Sequence, residues 1–524
     1  MVSSWPIFAS QCKSRLSAIA RSCFLGRAHW REKFREIEDL LQEVRQQGME
    51  SEALREQLEQ EKRELRQRIS ELEMRLAQPQ PLQLPLGDIP GGQQYGAGLI
   101  ALCVNLARKI GLRPAEHSLH VVFDWLGVEV EIPTYQTIRL WMQRISLDRM
   151  ENTTKRKGGV WLTDHTNQIG KEKVLVVLRV PEDHWARSGE PLRHEDVEVL
   201  TVKPGESWKR EDVAQVYGET EERYGSPRAV GSDGAVELRE PVESLGKQGK
   251  RPLVLRDPKH FLANKFEALL KRDPQYQAFA NQLAGTRSAV QQTELAHFVP
   301  PVFKTKARFM NLRPTLSWAS AVLWHLDHPT SKSRQDISQS RMEEKLGWLR
   351  DFAPNIRQWQ ACQEVISTAL TLLNEQGIFR GAAREFRSRV AHLQQHRLSR
   401  QLIQTVVEFL RETEQQLRPR EHLPMSTEIL ESSFALYKQL EKQHSKSGFT
   451  GLVLTYPILL RPTDATEVRD SFARIKVADV RQWIAKHLPS TYASKRQLMY
   501  REARPKIKAQ PQTQKRATRR GTAA

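Results

Sequence analysis

The sequence predicts an α/β protein whose central part runs βββαβαβα, preceded by helical segments and interrupted by a large all-α insertion. Three observations lead there. Between positions 156 and 272, three β-rich runs give way to short strands that alternate with helices. From 273 to 424 the apolar periodicity is almost wholly helical. Acidic residues stand at or just after two of the predicted strands and on a later helix, a placement that gathers carboxylates from distant parts of a chain.

Residues 1–78 form a basic N-terminal segment and a heptad segment. From Phe34 to Leu76 one register holds, with Phe34, Leu41, Ile69 and Leu76 at a, and Ile37, Val44, Leu58, Leu65 and Leu72 at d. Gly48, Ser51, Arg55 and Lys62 interrupt it, so a modest coiled coil and a solvated charged helix both satisfy the pattern. Residues 79–96, rich in Pro and Gly, read as a linker.

Residues 97–150 carry three amphipathic periods, Ala97–Ile110, Pro114–Leu126 and Thr134–Ile145, the pattern of a helix-turn-helix unit. On the third helix, Ile138, Trp141 or Met142 and Ile145 make an apolar stripe. Tyr135, Gln136, Arg139 and Gln143 are left outside it, where they would reach bases and phosphates if the helix entered a major groove.

In the central part, Val160–Asp164, Val174–Val180 and Asp196–Val202 read as an antiparallel meander. Helix Glu211–Tyr224, strand Arg228–Ser232, helix Val236–Leu245, strand Pro252–Leu255 and helix His260–Lys271 follow. This order is that of an RNase H-like core, spanning 156–272. In the insertion the periodic runs are Ile337–Phe352, Ile356–Gly377 and Ala382–Arg411. Residues 425–456 return to the core with one helix, 457–494 form a C-terminal helical region, and 495–524 read as a disordered basic tail. Between Lys495 and Arg520 ten Lys or Arg face the single acid Glu502.

Composition narrows the function. With 524 residues and 39% hydrophobic content the chain fills real cores, and its net charge of +19 (pI about 9.8) favours a polyanionic partner such as nucleic acid. Cys12, Cys23, Cys103 and Cys362 lie far apart without zinc-ligand spacing, which points to a reducing cytoplasm and away from a zinc site. No apolar run is long enough for a membrane span, since Lys13, Arg15 and Arg21 break the segment 5–25.

The chemistry centres on Asp164, Asp233 and Glu431. Asp164 is expected to close the first strand and Asp233 the fourth, and those strands are expected side by side at the centre of the sheet, so both carboxylates would share a metal. For the third ligand Glu428 and Glu431 lie three apart on one helix. The start of a helix gives Glu428 a dipole-stabilising role, which makes Glu431 the preferred ligand. Hard oxygen donors imply Mg2+ or Mn2+, as two ions. Asp257 reads as the cap of the helix it precedes, while His260 is a candidate contact to the scissile phosphate or a positioner of a metal ligand. Lys438, two turns beyond Glu431, is a candidate phosphate contact, and His165 should face away from Asp164.

Four blocks carry a resemblance: Trp161–Gly170 with Asp164, Gly231–Leu238 with Asp233, Asp257-Pro-Lys-His260, and Thr427-Glu-Ile-Leu-Glu-Ser-Ser-Phe434 followed by Lys438. Over roughly Ala97 to Tyr456 the chain resembles bacterial insertion-sequence transposases of the DDE class, which have an RNase H-like catalytic core. In that family the glutamate before the serine of a Glu-Ser-Phe helix is catalytic, which corresponds to Glu431. A helical insertion there commonly separates the second aspartate from the glutamate, as the 198-residue interval from Asp233 to Glu431 does here. The resemblance implies cleavage at transposon ends, joining of the freed 3′-hydroxyls to target DNA, and recognition of terminal repeats by the helix-turn-helix. The implied partner is double-stranded DNA, met by a homodimer or higher oligomer at the bacterial nucleoid. Two other readings use the same residues: a nuclease that cuts without joining, and a catalytically silent DNA-binding derivative.

Overall fold

A five-stranded mixed sheet in the order β3-β2-β1-β4-β5 organises the centre of the chain, with helices on both faces. The computed structural model describes residues 26–27, 29, 31–33, 35, 52–77, 87–128, 130–169, 171–184, 191–246, 251–302, 312–332, 337–443, 450–490 and 492–509. The chain divides into two units, Met1–Leu84 and Pro85–Ala524. Among the described residues no helix is long and apolar enough to cross a membrane.

In the first unit, helix α1 (Glu52–Ala77) carries the later half of the heptad segment. Leu65 and Ile69, one d and one a position, are half-buried between exposed neighbours, and Arg27 pairs with Glu73 at 2.7 Å. Phe34, Ile37, Leu41 and Val44 lie outside the described residues.

The second unit opens with α2 (Ala97–Ile110), α3 (Leu112–Leu126) and α4 (Tyr135–Glu151), packed on one another. Gly111, at φ +96°, makes the turn between α2 and α3. Thr134 starts α4, its side chain accepting from the Thr137 N–H.

The core strands are β1 (Val160–Ile169), β2 (Glu172–Val180) and β3 (Glu198–Glu206), an antiparallel meander. Helix α5 (Arg210–Tyr224) follows, entered where Asp212 accepts from the Lys209 N–H, then β4 (Ala229–Ser232). The expected helix 236–245 is shorter: α6 (Val236–Arg239) passes into a 3-10 turn over Glu240–Ser244, because Pro241 has no N–H to continue an α-helix. Then come β5 (Leu253–Arg256) and α7 (Pro258–Lys271). Both β4 and β5 run parallel to β1. One face of the sheet, with Trp161, Leu175, Val177 and Val230, packs on Val213, Val216 and Tyr217 of α5 and on Leu238 and Val242.

Among the described residues of the insertion the α-helices are α8 (Pro274–Val290), α9 (Leu312–Asp327), α10 (Gln339–Leu346), α11 (Ala353–Gln376), α12 (Ala382–Arg389) and α13 (Arg397–Glu414). Phe279 anchors it, its ring 5.7, 5.7 and 5.2 Å from Trp348, Phe352 and Trp359. A two-stranded ladder of β6 (Ile378–Phe379) and β7 (His422–Leu423) closes the insertion, and a partly buried Arg228–Glu421 pair at 2.7 Å ties its exit to the start of β4. The chain then enters α14 (Glu428–Lys442), which packs on β1.

The C-terminal region is helical, as expected, and packs around α4 through α15 (Tyr456–Leu460), α16 (Ala465–Arg474) and α17 (Val477–His487). One expectation changes: the first part of the tail, expected to be disordered from 495, lies in helix α18 (Tyr492–Ala509), where long unbranched Lys, Arg, Gln and Met residues favour helix; the remainder, from 510, lies outside the described residues.

Candidate functional site

The parallel register of β1 and β4 pairs Val160 with Ala229, Trp161 with Val230 and Leu162 with Gly231. Continued two residues beyond the last pair, it sets Asp164 level with Asp233. Asp164 does not close its strand, as expected, but lies inside it opposite Val176, because β1 continues to Ile169 on the support of β2 after β4 has ended. Alternation puts Asp164 on the face away from Trp161, the face on which α14 packs.

Asp164 Oδ1 accepts from the His165 N–H at 2.6 Å. Burial raises the Asp164 carboxyl to about 7, the Asp233 and Glu431 charges add to the shift, and the His165 hydrogen bond and His260 oppose it. Acids from three distant segments therefore share one electrostatic environment. Asp233 Oδ1 accepts from the Ala235 N–H at 2.8 Å, across a turn that Gly234 makes at φ +92°.

The loop after β5 brings in the remaining groups. Asp257, fully buried, caps α7 by accepting from the His260 N–H at 2.9 Å. Its other oxygen accepts from the Thr427 N–H at 2.8 Å and the Thr427 hydroxyl at 2.6 Å, which fixes the start of α14 against the end of the sheet. Burial works to raise the Asp257 pKa, but hydrogen bonds from His260 and Thr427 prevail and hold it below the usual carboxylate range. Its structural role as a cap is thus joined by a second, unexpected one.

Lys259 Nζ donates to Glu431 Oε2 at 2.7 Å and stands 3.2 Å from Glu428 Oε1. Burial tends to lower the Lys259 pKa, and the two glutamates outweigh it. His260 Nε2 lies 3.8 Å from Glu431 Oε1 while its Nδ1 faces Asp257 at 3.4 Å. The Asp257 hydrogen bond is the first cause that raises the His260 pKa; burial opposes it, and the Asp257 and Glu431 charges reinforce it. The two candidate glutamates separate here: Glu431 faces His260 and bears on Asp164, whereas Glu428 Oε2 accepts from Asn374 in the insertion at 3.0 Å. Ser433, held to the Tyr456 hydroxyl at 2.5 Å, fixes the rotation of α14 from the other side.

The remaining candidates divide. Lys438 is exposed two turns further along α14. His165 faces away as expected, its ring 5.9 Å from Trp208 and its pKa lowered to about 4 by burial. Tyr135 is partly exposed and Gln136 and Arg139 are exposed at the start of α4, where Arg113 lies 4.9 Å over the Tyr135 ring and joins the group. Gln143 is a correction. It is buried, and its Nε2 donates to the Gly451 carbonyl at 2.5 Å, because α4 continues past Ile145 into the C-terminal helices.

Sequence reasoning passed over Lys259 and the Asp257–Thr427 link. The Asp-Pro-Lys-His block contained the signal for the first, since it follows a strand at the same end of the sheet as Asp233; nothing local pointed to the second. The carboxylate oxygens are hard donors suited to Mg2+ or Mn2+, yet among the described residues no group of three or more His, Cys, Asp or Glu is arranged to hold an ion. Glu431 is instead turned onto Lys259. No protein-family model and no curated protein matches the chain.

Proposed function

We propose that the protein is a DNA transposase with an RNase H-like core, cutting at the ends of a mobile element and joining the freed 3′-hydroxyls to target DNA. One observation carries this reading: the β1–β4 register sets Asp164 level with Asp233 while α14 brings Glu431 into the same electrostatic environment. The strand order β3-β2-β1-β4-β5 and the βββαβαβα succession support the core assignment. A net charge of +19, with Gln136 and Arg139 exposed at the start of the third helix, supports a DNA partner and a helix-turn-helix role for α2–α4.

Asp164, Asp233 and Glu431 would hold two Mg2+ or Mn2+ ions. Their donor chemistry fits: hard oxygens only, with an Asp164 carboxyl raised first by burial and then by the Asp233 and Glu431 charges, which a divalent cation would offset. Bound, the ions supply an activated water or 3′-hydroxyl and stabilise the leaving oxygen in an in-line displacement at phosphorus. Lys259 holds Glu431 in place through their 2.7 Å ion pair. His260, linked to both Asp257 and Glu431, orients that glutamate.

The test is a labelled duplex carrying the element's end, incubated with purified protein and Mg2+. Strand transfer into a second duplex is the expected result. Cleavage without joining would identify a nuclease, and binding without chemistry a silent derivative.

A further inference from the structure

Beside the carboxylates, at the same end of the sheet, two cations share one aromatic ring. Arg256 ends β5, where the β4–β5 register pairs it with Ser232, the residue before Asp233. Its Cζ lies over the Phe261 ring at 5.0 Å, and Lys265 Nζ, one turn along α7 from Phe261, lies over the same ring at 5.3 Å. Phe409 of the insertion stacks on that ring at 4.1 Å with 14° between planes, so the platform is fixed from behind.

The Arg256 stem is seated as well. A Cβ added to Gly234 would meet its Nε at 2.9 Å and its Cγ at 3.3 Å, and Gly234 holds φ +92°, so a glycine is what lets the arginine lie against the Asp233 turn. Both cations are exposed, and among the described residues neither has an acidic partner. Lys259, by contrast, is neutralised by Glu428 and Glu431. Two cations held at one ring, neither in an ion pair among the described residues, both attract an anion placed between them. A planar guanidinium with a neighbouring ammonium suits the oxygens of a phosphodiester.

We infer that Arg256 and Lys265, seated on Phe261, form a clamp for a backbone phosphate of the DNA strand that passes Asp233. The clamp rests on the transposase reading, and its role is to position the strand. It makes no base contact, so it lowers affinity alike for every sequence when lost.

The experiment is equilibrium binding of a fluorescent DNA duplex to the full chain in EDTA, over a series of salt concentrations, with no chemistry required. Arg256→Gln and Lys265→Gln are each expected to weaken binding severalfold, and the double variant, which loses the one phosphate contact, to reduce the slope of log affinity against log salt by about one. Lys271→Gln removes a charge from the same helix at a lysine already paired with Glu267, and is expected to leave the slope unchanged. Arg256→Lys, which keeps the charge and the fold, should recover part of the loss. Wild-type binding with unaltered Arg256 and Lys265 variants would overturn the clamp and leave the transposase reading standing, as would an equal effect of Lys271→Gln. Failure of the wild type to bind DNA, or preference for an RNA duplex of the same sequence, would overturn both.

Discussion

Asp257 and Thr427, 170 residues apart, are joined by one carboxylate oxygen that accepts from both the amide and the hydroxyl of the threonine. The other oxygen caps α7. A single buried side chain thus fixes the sheet's end, the helix carrying Lys259 and His260, and the helix carrying Glu431. Asp257→Ala should destabilise the protein by about 3 kcal/mol, since it removes a cap and leaves the Thr427 donors buried without a partner. Because the folded pKa of Asp257 is depressed, its contribution is fully present above the ordinary carboxylate pKa and is lost as pH falls through the lower folded value. Urea unfolding at neutral pH checks the magnitude, and the wild type's extra stability over Asp257→Ala should shrink below about pH 4.

Asp164 behaves in the opposite sense. Its folded pKa, raised to about 7, makes its ionised form unfavourable in the folded state, so this group lowers stability progressively as pH rises from about 4 to 7. Asp164→Asn should therefore be more stable than the wild type at pH 8 without divalent ions, by at most about 4 kcal/mol. Adding Mg2+ should raise the melting temperature of the wild type and leave that of Asp164→Asn nearly unchanged. A variant less stable than the wild type under those conditions contradicts the assignment.

Lys259 competes with a cation for Glu431. Its ion pairs are half-exposed and contribute less than about 1 kcal/mol, so Lys259→Gln should leave the fold intact. It should lower, severalfold, the Mg2+ concentration that half-saturates the thermal shift. A higher concentration would mean that Lys259 helps to build the site.

On α4, exposure separates recognition from architecture. Arg139 is exposed, and Arg139→Ala should weaken binding to the element's end by about 1–3 kcal/mol without changing stability. Arg144 is buried and donates to the Phe472 and Ile475 carbonyls at 3.0, 2.9 and 2.7 Å, so Arg144→Met should destabilise by about 3 kcal/mol as those carbonyls lose their donors. Filter binding and thermal unfolding of the two variants distinguish the roles.

The succession of strands and helices in the centre was legible because alternation and short β-rich runs are local signals. So was the side-by-side placement of β1 and β4, which follows from strand order. Gln143 was misread because the amphipathic pattern of α4 ends near Ile145, where the helix becomes buried all round; Asp148 and Arg144 are core residues only because Ser471, Arg474 and the Ile475 carbonyl come from more than 320 residues later. The extent of β1 was misjudged for a similar reason: Thr166 to Ile169 has little strand character of its own and is held by β2. The division of labour between Glu428 and Glu431 depends on Asn374 and His260, which no spacing within α14 reveals.

The central claim is that Asp164, Asp233 and Glu431 act together on DNA. Strand transfer and duplex binding measured side by side for Asp164→Asn, Asp233→Asn, Glu431→Gln and Glu428→Gln test it most directly. The account predicts that the first three lose transfer by at least about a thousandfold while binding the duplex nearly as the wild type does, and that Glu428→Gln keeps most of its activity. Transfer that survives in Asp164→Asn or Asp233→Asn, or that is lost in Glu428→Gln and kept in Glu431→Gln, would contradict it.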